Sequence, residues 1–461
     1  MQHALLNDSS PLRRWRKAEW TSMSGLSESQ RQLVRVIGRW TLTALMINTI
    51  VGSGIVGLPS LLSAHLGRLS APGYLLAAPG VALTAACFAE VASQFQRAGG
   101  PYLYANAAFG RFMGIQIGWF ALLTRIAAAS SACELFVSYL AQFFPAAETS
   151  PAREVVLALL IGLVAIVNYR GVRQGVRVSN FFTVAKLMVL AFFVFGGILA
   201  LLFRPEIHVD QPALHITASH LLDAILLMTF AYGGFEAALF VSGETYDSRK
   251  DTPAALLVAL ITATILFALV QYVVVTTLPN AALSTRPAAD SATRFLGSAG
   301  ASLVAAGTLI SIYGYLSANM LHTPRLTFAM GEQGDIPSIF AAVHPRFRTP
   351  HVSIVIFAAM LLIFATIGSY RGNVTLAAVA RLFIYGTIVA ALPALRRKSP
   401  DASAFRLPYA ALIVPLALVF NVALFLRIDL RGFGIVAGSF TLAALNWAWA
   451  RRRNATRSLV E

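Results

Sequence analysis

Residues 48–59 read NTIVGSGIVGLP, and residues 230–236 read FAYGGFE. Each stretch lies within a long apolar run and places paired small residues near its middle. Glycine weakens a helix by roughly 1 kcal/mol per residue relative to alanine. A single break of this kind is weak evidence, because glycine also serves close packing between membrane helices. Two such breaks in one chain are stronger evidence that the helix is interrupted at both places.

The overall composition indicates that these apolar runs lie in a membrane. The chain has 461 residues, of which 57% are hydrophobic and 12% are charged, whereas soluble proteins carry about 25% charged residues. A bilayer core of about 30 Å needs about 20 apolar residues per helix. Runs of that size are centred near residues 51, 84, 127, 159, 191, 231, 266, 309, 360, 384, 417 and 441. The sequence therefore predicts an all-α polytopic membrane protein with about twelve transmembrane helices. Continuous runs exclude a transmembrane β-barrel.

The net charge of +16 would suggest nucleic-acid binding in a soluble chain. Here the placement of the charges gives another explanation. When about twelve spans are threaded from a cytoplasmic N-terminus, most of the 36 lysines and arginines fall at the inner side. This bias follows the positive-inside rule. We therefore expect no nucleic-acid partner, and a multi-pass protein of the cell membrane with both termini in the cytoplasm.

The two breaks also predict how the chain is organised. They lie about five helices apart, and an odd number of spans makes the second copy enter the membrane with opposite topology. The predicted organisation is a cytoplasmic tail (1–38), a first inverted repeat (39–203), a second inverted repeat (218–395), two further helices (404–450) and a cytoplasmic C-terminal tail (451–461).

Five motifs, in order along the chain, resemble the amino acid–polyamine–organocation (APC) superfamily of secondary transporters. Residues 52–59 match its GSGIxxLP pattern, and 230–236 match FxYxGxE. Residues 88–104, 243–253 and 325–337 are similar to its conserved loop regions after spans two, six and eight. The resemblance covers residues from about 33 to about 400. It implies a LeuT-like 5+5 inverted-repeat core with broken helices 1 and 6, two extra helices, and alternating access.

Backbone chemistry indicates what the breaks bind. An unwound stretch frees N–H and C=O groups that lipid cannot satisfy, so they persist only where they line a cavity. The positive ends of the half-helices favour a carboxylate, and the freed carbonyls favour an ammonium or cation. A zwitterionic amino acid has both groups. The predicted substrate-binding residues are Thr49, Ile50, Val51, Gly52, Ser53, Gly54, Arg125, Phe230, Tyr232, Gly233, Gly234, Glu236 and Asn319.

Two ionisable residues are candidates for proton coupling. Glu236 lies at mid-depth, where a carboxylate costs about 2.5–3.5 kcal/mol on insertion scales; it is a candidate proton carrier, gate latch or partner of a buried base. Lys186 lies seven residues into the fifth span, where it either snorkels to the surface or couples transport. The resemblance implies that a lysine here replaces the sodium ion of sodium-coupled relatives. We expect transport to be proton-coupled or exchanging, and independent of sodium.

Arg125 near the middle of span three departs from the superfamily, which has a small or polar residue there. We expect it to face the cavity and to pair with Glu236 or with an acidic substrate group. The basic residue of span ten, Arg381, is a surface-reaching or helix-pairing candidate. Glu90 is expected to have a structural role near the cytoplasmic face.

Other classes of function fit the sequence less well. A membrane enzyme needs a nucleophile–base pair or a metal cluster at one depth, and a channel needs continuous pore helices with polar rings. We expect neither, and no cofactor or metal. A polyamine or organic cation carrier is the main rival among transporters, and a non-transporting sensor of the same fold stays open. The sequence does not predict the amino acid carried or the oligomeric state.

Overall fold

The computed structural model describes residues 38–95, 100–170, 173–211, 214–238, 248–398, 405–428 and 430–457. Several predicted features lie outside the described residues in whole or in part. They are the N-terminal tail up to residue 37, the motif residues 96–99, residues 239–247 of the loop motif after span six, and the last residues of the C-terminal tail.

The described residues form helices and no strands, so the all-α prediction is confirmed. In chain order, the α-helices are α1 (Arg39–Ile50), α2 (Gly54–Leu66), α3 (Ser70–Ser93), α4 (Gly100–Phe109), α5 (Arg111–Leu140), α6 (Ala152–Arg170), α7 (Arg173–Phe203), α8 (Ala218–Tyr232), α9 (Phe235–Ala238), α10 (Ser248–Thr277), α11 (Pro287–Glu332, kinked at Gly297), α12 (His351–Ile367), α13 (Tyr370–Lys398), α14 (Ala410–Phe425) and α15 (Leu430–Arg457).

Within these ranges, eight helical stretches are long and apolar enough to cross a bilayer. They are Gly54–Ser93, Arg111–Leu140, Ala152–Arg170, Lys186–Phe203, Asp251–Thr277, Pro287–Glu332, Tyr370–Lys398 and Gly432–Arg452. Three shorter helices, α8, α12 and α14, are also apolar. The chain is therefore a multi-pass membrane protein, as predicted. The count of about twelve spans and the inverted repeat stay predictions.

The outer helices expose large apolar side chains, as a lipid-facing surface requires. Leu159 on α6, Phe195 on α7, Ile261 on α10 and Val419 on α14 are each more than half exposed. Soluble proteins seldom expose apolar patches of this extent. These side chains therefore mark the face of the bundle that contacts hydrocarbon.

Both predicted helix breaks are present. Helix α1 ends at Ile50, and Val51 leaves the helical region with φ −75° and ψ 77° before α2 begins. Helix α8 ends at Tyr232, and Gly233 is extended with φ −68° and ψ 155°. Gly234 then adopts φ 114°, which glycine reaches without the steric cost that other residues incur. The chain is thus interrupted at 51–53 and at 233–234.

The two breaks touch each other in the centre of the bundle. A Cβ atom on Gly54 would lie 3.3 Å from Cα of Ala231, and one on Gly234 would collide with the carbonyl oxygen of Thr49. Helices α5 and α13, most of whose residues are buried, pack beside them. The fold therefore brings two segments that are about 180 residues apart in the sequence into one central site.

Glu90, near the end of α3, forms the structural contact that the sequence suggested. Arg396 on α13 donates from Nε and Nη2 to its two carboxylate oxygens at 2.7 and 2.6 Å. The backbone N–H of Leu407 donates to the same carboxylate at 2.7 Å. This fully buried carboxylate joins α3, α13 and the segment that leads into α14.

Arg396→Ala is expected to lower the free energy of unfolding by about 3 kcal/mol, because it leaves the Glu90 carboxylate buried without its cation. Thermal denaturation of the purified protein in detergent measures the effect. Arg427→Ala is the matched control, since its pair with Asp223 is about one-third exposed on both sides and exposed pairs contribute little. Equal melting temperatures for the two variants would contradict the structural role of Glu90.

Candidate substrate site

The carbonyl end of the first break is held by a buried ammonium group. Nζ of Lys186 on α7 donates to the carbonyl oxygens of Asn48 and Val51 at 2.7 and 2.8 Å. Lys186 is 5% exposed, so it does not snorkel to the surface. Cations are favoured at the C-terminal end of a helix, where the last carbonyls lack intrahelical partners. Lys186 therefore satisfies the end of α1 in the middle of the protein.

The second break is held by a buried ion pair. The carboxylate of Glu236 accepts from the backbone N–H of Gly234 at 2.8 Å and from the hydroxyl of Tyr385 at 3.1 Å. Nε of Arg381 lies 3.3 Å from Oε1 of Glu236. Nη1 of Arg381 donates to the carbonyl oxygen of Phe230 at 3.2 Å. The pair thus provides partners for freed groups on both sides of the break.

A cavity opens between the two breaks, with about 30 Å³ of open space. Its lining consists of Thr49, Ile50, Gly52, Ser53, Gly54, Arg125, Ala128, Phe230, Ala231, Gly233, Gly234, Tyr315 and Arg381. A single ordered water needs about 10–15 Å³ by this measure, so the space holds about two waters. An amino acid can enter only if the lining helices move apart.

Among the described residues, no charged side chain caps the amino end of α2. Its N-cap residue Ser53 makes no side-chain capping hydrogen bond, and its first turn contains no acidic residue. In the part of the chain that the structure describes, the N–H groups of Ser53 and Gly54 have no acceptor. Both residues line the cavity. Free amides and the positive end of a helix together favour an anion at this point.

Comparison with known proteins identifies the family. The amino acid permease family model matches residues 37–449. The chain belongs to this family. The predicted relationship to the APC superfamily is therefore confirmed, and the chain is a membrane transporter of amino acid permease type.

Relatives of the permease are named for different substrates. It is 28% identical to the methylthioribose transporter of Bacillus subtilis, over 87% of this chain and 89% of the relative. It is 26% identical to the branched-chain amino acid permease of the same organism, over 92% and 94% of the two chains. It is 28% identical to the serine/threonine exchanger of that organism, over 73% and 78%.

Arg125 lies on the cavity wall, as predicted, but it is not paired with Glu236, the first of the two partners that the sequence suggested. In the described ranges the Glu236 carboxylate is paired with Arg381, and the guanidinium of Arg125 has no ion pair or hydrogen bond. The alternative of an Arg125–Glu236 pair is therefore not what the structure contains. The other alternative, that Arg125 pairs with an acidic group of the substrate, stays a prediction.

Four predicted residues lie near the cavity without lining it. Val51 contributes its carbonyl to Lys186, and Glu236 lies behind the lining in its pair with Arg381. The hydroxyl of Tyr232 donates to the carbonyl of Tyr74 at 2.9 Å and lies 3.0 Å from the hydroxyl oxygen of Thr264, so its ring turns towards α3 and α10. Asn319 donates to the carbonyl of Arg125 and to the Tyr315 hydroxyl and so joins α11 to α5.

Four lining residues were not predicted as substrate-binding, namely Ala128, Ala231, Tyr315 and Arg381. Ala231 lies between the predicted residues Phe230 and Tyr232. Tyr315 lies four residues before Asn319 and Ala128 three residues after Arg125, so each shares a helix face with a predicted residue. That spacing could have identified both. Arg381 could have been assigned to the site because it is a basic residue near the middle of its span, where a charge needs a partner, and the sequence analysis had named none for it.

A second cavity is larger but separate from the breaks. It has about 140 Å³ of open space and is lined mainly by apolar residues of α5, α11 and α12, among them Leu122, Met330 and Phe357. It contains none of the freed backbone groups at 51–53 or 233–234. The smaller cavity is therefore the candidate substrate site of the permease.

Gly233→Ala is expected to reduce amino-acid transport by the permease more than tenfold. A Cβ atom at this position would collide with the guanidinium of Arg381, and the guanidinium would have to leave Glu236 and Phe230. Gly386→Ala on α13 is the control, because a Cβ atom there meets nothing within 4 Å. The effect is measured as uptake of an amino acid into proteoliposomes. The amino acid used is the one that most stabilises the purified protein against heat. Normal uptake by Gly233→Ala would contradict the assigned geometry.

Proposed function

We propose that this permease is a secondary active transporter that moves an amino acid across the cell membrane by alternating access. One observation carries the proposal: two helices are broken side by side, and in the described part of the chain the amides at one of the helix ends face a cavity without an acceptor. The substrate completes that end. Amino acid permease family membership supports the class of substrate.

The substrate backbone binds between the breaks. Its α-carboxylate accepts from the N–H groups of Ser53 and Gly54, at the positive end of α2. Its ammonium group is received on the other side by backbone carbonyls of the breaks, such as that of Thr49, which lies against Gly234. Phe230, which is 6% exposed and lines the cavity, covers the bound substrate. These assignments use the freed groups that lipid cannot satisfy.

Lys186 is the proposed coupling residue. Its ammonium group is buried and is held by two carbonyl oxygens of the first break. Loss of its proton removes the cation that holds the end of α1 and so links a proton to the position of that half-helix. The resemblance to the superfamily supports a coupling that is proton-driven or exchanging and independent of sodium. Glu236 serves as the latch of the second break, since its carboxylate is already engaged by Arg381, Tyr385 and Gly234.

The proposed inverted repeats, 39–203 and 218–395, are supported by an equivalence between the two breaks. Counted with the broken helix as the first and without the ten-residue helix α4, α7 is the fifth helix of the first repeat and α13 is the fifth of the second. Lys186 on α7 donates to carbonyls of the first break, and Arg381 on α13 donates to a carbonyl of the second. Each repeat thus uses a cation from its fifth helix at the same point. Segment 404–450 adds two further helices, and both termini are proposed to be cytoplasmic.

The rival substrate, a polyamine, fits the site less well. A polycation needs several carboxylates, whereas the cavity is lined by the cations Arg125 and Arg381. The nearest carboxylate, Glu236, is already paired. Repulsion between like charges in a low-dielectric site disfavours a polyamine.

Lys186→Ala is expected to abolish uptake driven by an inward proton gradient, because the coupling cation is removed. Uptake of a screened amino acid into proteoliposomes, with and without the gradient, measures the effect. Lys398→Ala is the matched control, since Lys398 also donates to two backbone carbonyls, those of Ala107 and Ala108, but lies far along α13 from the breaks.

Replacing sodium by choline in the same assay is expected to leave wild-type uptake unchanged. Sodium-dependent uptake would contradict the assigned coupling. Binding of an amino acid without uptake or counterflow would favour a non-transporting sensor of the same fold.

A further inference from the structure

One charge at the candidate site has no partner in the described part of the chain. The guanidinium of Arg125 lines the cavity, and neither an ion pair nor a hydrogen bond is found for it there. The other three ionic groups at the breaks are engaged: Lys186 with two carbonyls, and Arg381 with Glu236. Among the described residues, Arg125 is therefore the cation at the cavity that has no ion-paired or hydrogen-bonded carboxylate of its own.

The charges around the cavity show what that counter-charge must be. Arg381 and Glu236 compensate each other, so Arg125 leaves the cavity wall with one positive charge in excess. A zwitterionic amino acid is neutral overall and cannot compensate it. Enclosing a substrate would then bury an uncompensated charge, which is costly. A substrate with one additional negative charge neutralises the cavity lining, from which Lys186 is absent.

The cavity also contains two separate receptors for an anion. One is the amide pair of Ser53 and Gly54 at the end of α2, and the other is the Arg125 guanidinium on α5. A neutral amino acid carries one carboxylate and uses one receptor. A dicarboxylic amino acid uses both, and Ala128, one turn beyond Arg125 on the same face of α5, adds little bulk beside it.

We propose that the substrate of this permease is an amino acid with a carboxylate on its side chain, and that Arg125 binds this carboxylate. The proposal rests on the proposed function and adds the substrate class to it. The amides of α2 bind the α-carboxylate, and Arg125 selects the side chain. A guanidinium suits this role because its fork of donors binds a carboxylate bidentately, which a lysine cannot do.

Counterflow in proteoliposomes tests the proposal. Vesicles are loaded in turn with L-glutamate, L-aspartate, L-glutamine, L-asparagine, L-leucine, L-serine and L-threonine, and uptake of the same labelled amino acid is measured. Wild type is expected to prefer the acidic amino acids over their amides by about tenfold or more, because hydrogen bonds to charged groups are stronger than neutral ones. Arg125→Gln is expected to remove that preference, and Arg125→Lys to retain part of it.

The controls separate this proposal from the function on which it rests. Arg204→Gln, at an exposed position after α7, should keep the wild-type preference. Equal or better counterflow of neutral amino acids in wild type would overturn the acidic substrate while leaving amino-acid transport intact. Absence of counterflow with every amino acid would overturn the proposed function itself. Should Arg125→Gln fail to fold, as judged by its melting transition, the wild-type series decides the question alone.

Discussion

Peptide groups that a broken helix frees inside a bilayer must find partners within the protein, and the rest of the site follows from that constraint. Four helix ends meet near the centre of the bundle. Lys186 satisfies the end of α1, Arg381 the end of α8, and Glu236 the backbone at the start of α9. The start of α2 alone has no charged side chain at its amides among the described residues. Three ends are thus held by charged side chains of the protein, and the fourth is the one to which we assign the substrate carboxylate.

The same contacts connect the breaks to particular helices, and this determines which parts can move together. Lys186 ties α1 to α7, while Arg381 ties α8 to α13. Breaking a buried ion pair costs about 3–5 kcal/mol, so the pair at the second break resists separation. The ammonium of Lys186 faces neutral carbonyls instead of a carboxylate, and its hold on α1 depends on one proton. The proposed coupling therefore assigns the release by a change of protonation to the first break.

Sequence reasoning located both breaks, since paired glycines in an apolar run act locally on the backbone and need no knowledge of the fold. It also placed Arg125 and Phe230 at the cavity. It did not assign Arg381 to Glu236, because the two are 145 residues apart and only packing brings α13 against α8. For Tyr232 the position beside the break was predicted correctly, but the direction of the side chain was not, because its ring turns towards Tyr74 and Thr264. The direction of a side chain at a break depends on backbone angles that residue types do not specify.

Recognition of the substrate backbone and choice of the side chain are physically separate in this site. In the proposed binding mode, the substrate backbone is bound by peptide groups at 49–54 and 230–234, which residues of any type provide if the helix is interrupted there. Relatives named for branched-chain amino acids and for serine or threonine therefore need not differ in these groups. Selectivity belongs to side chains that reach the cavity from intact helices, and α5 supplies one at Arg125. A charge placed there changes the electrostatics of the cavity without changing the breaks, so the substrate class can shift while the transport fold stays the same.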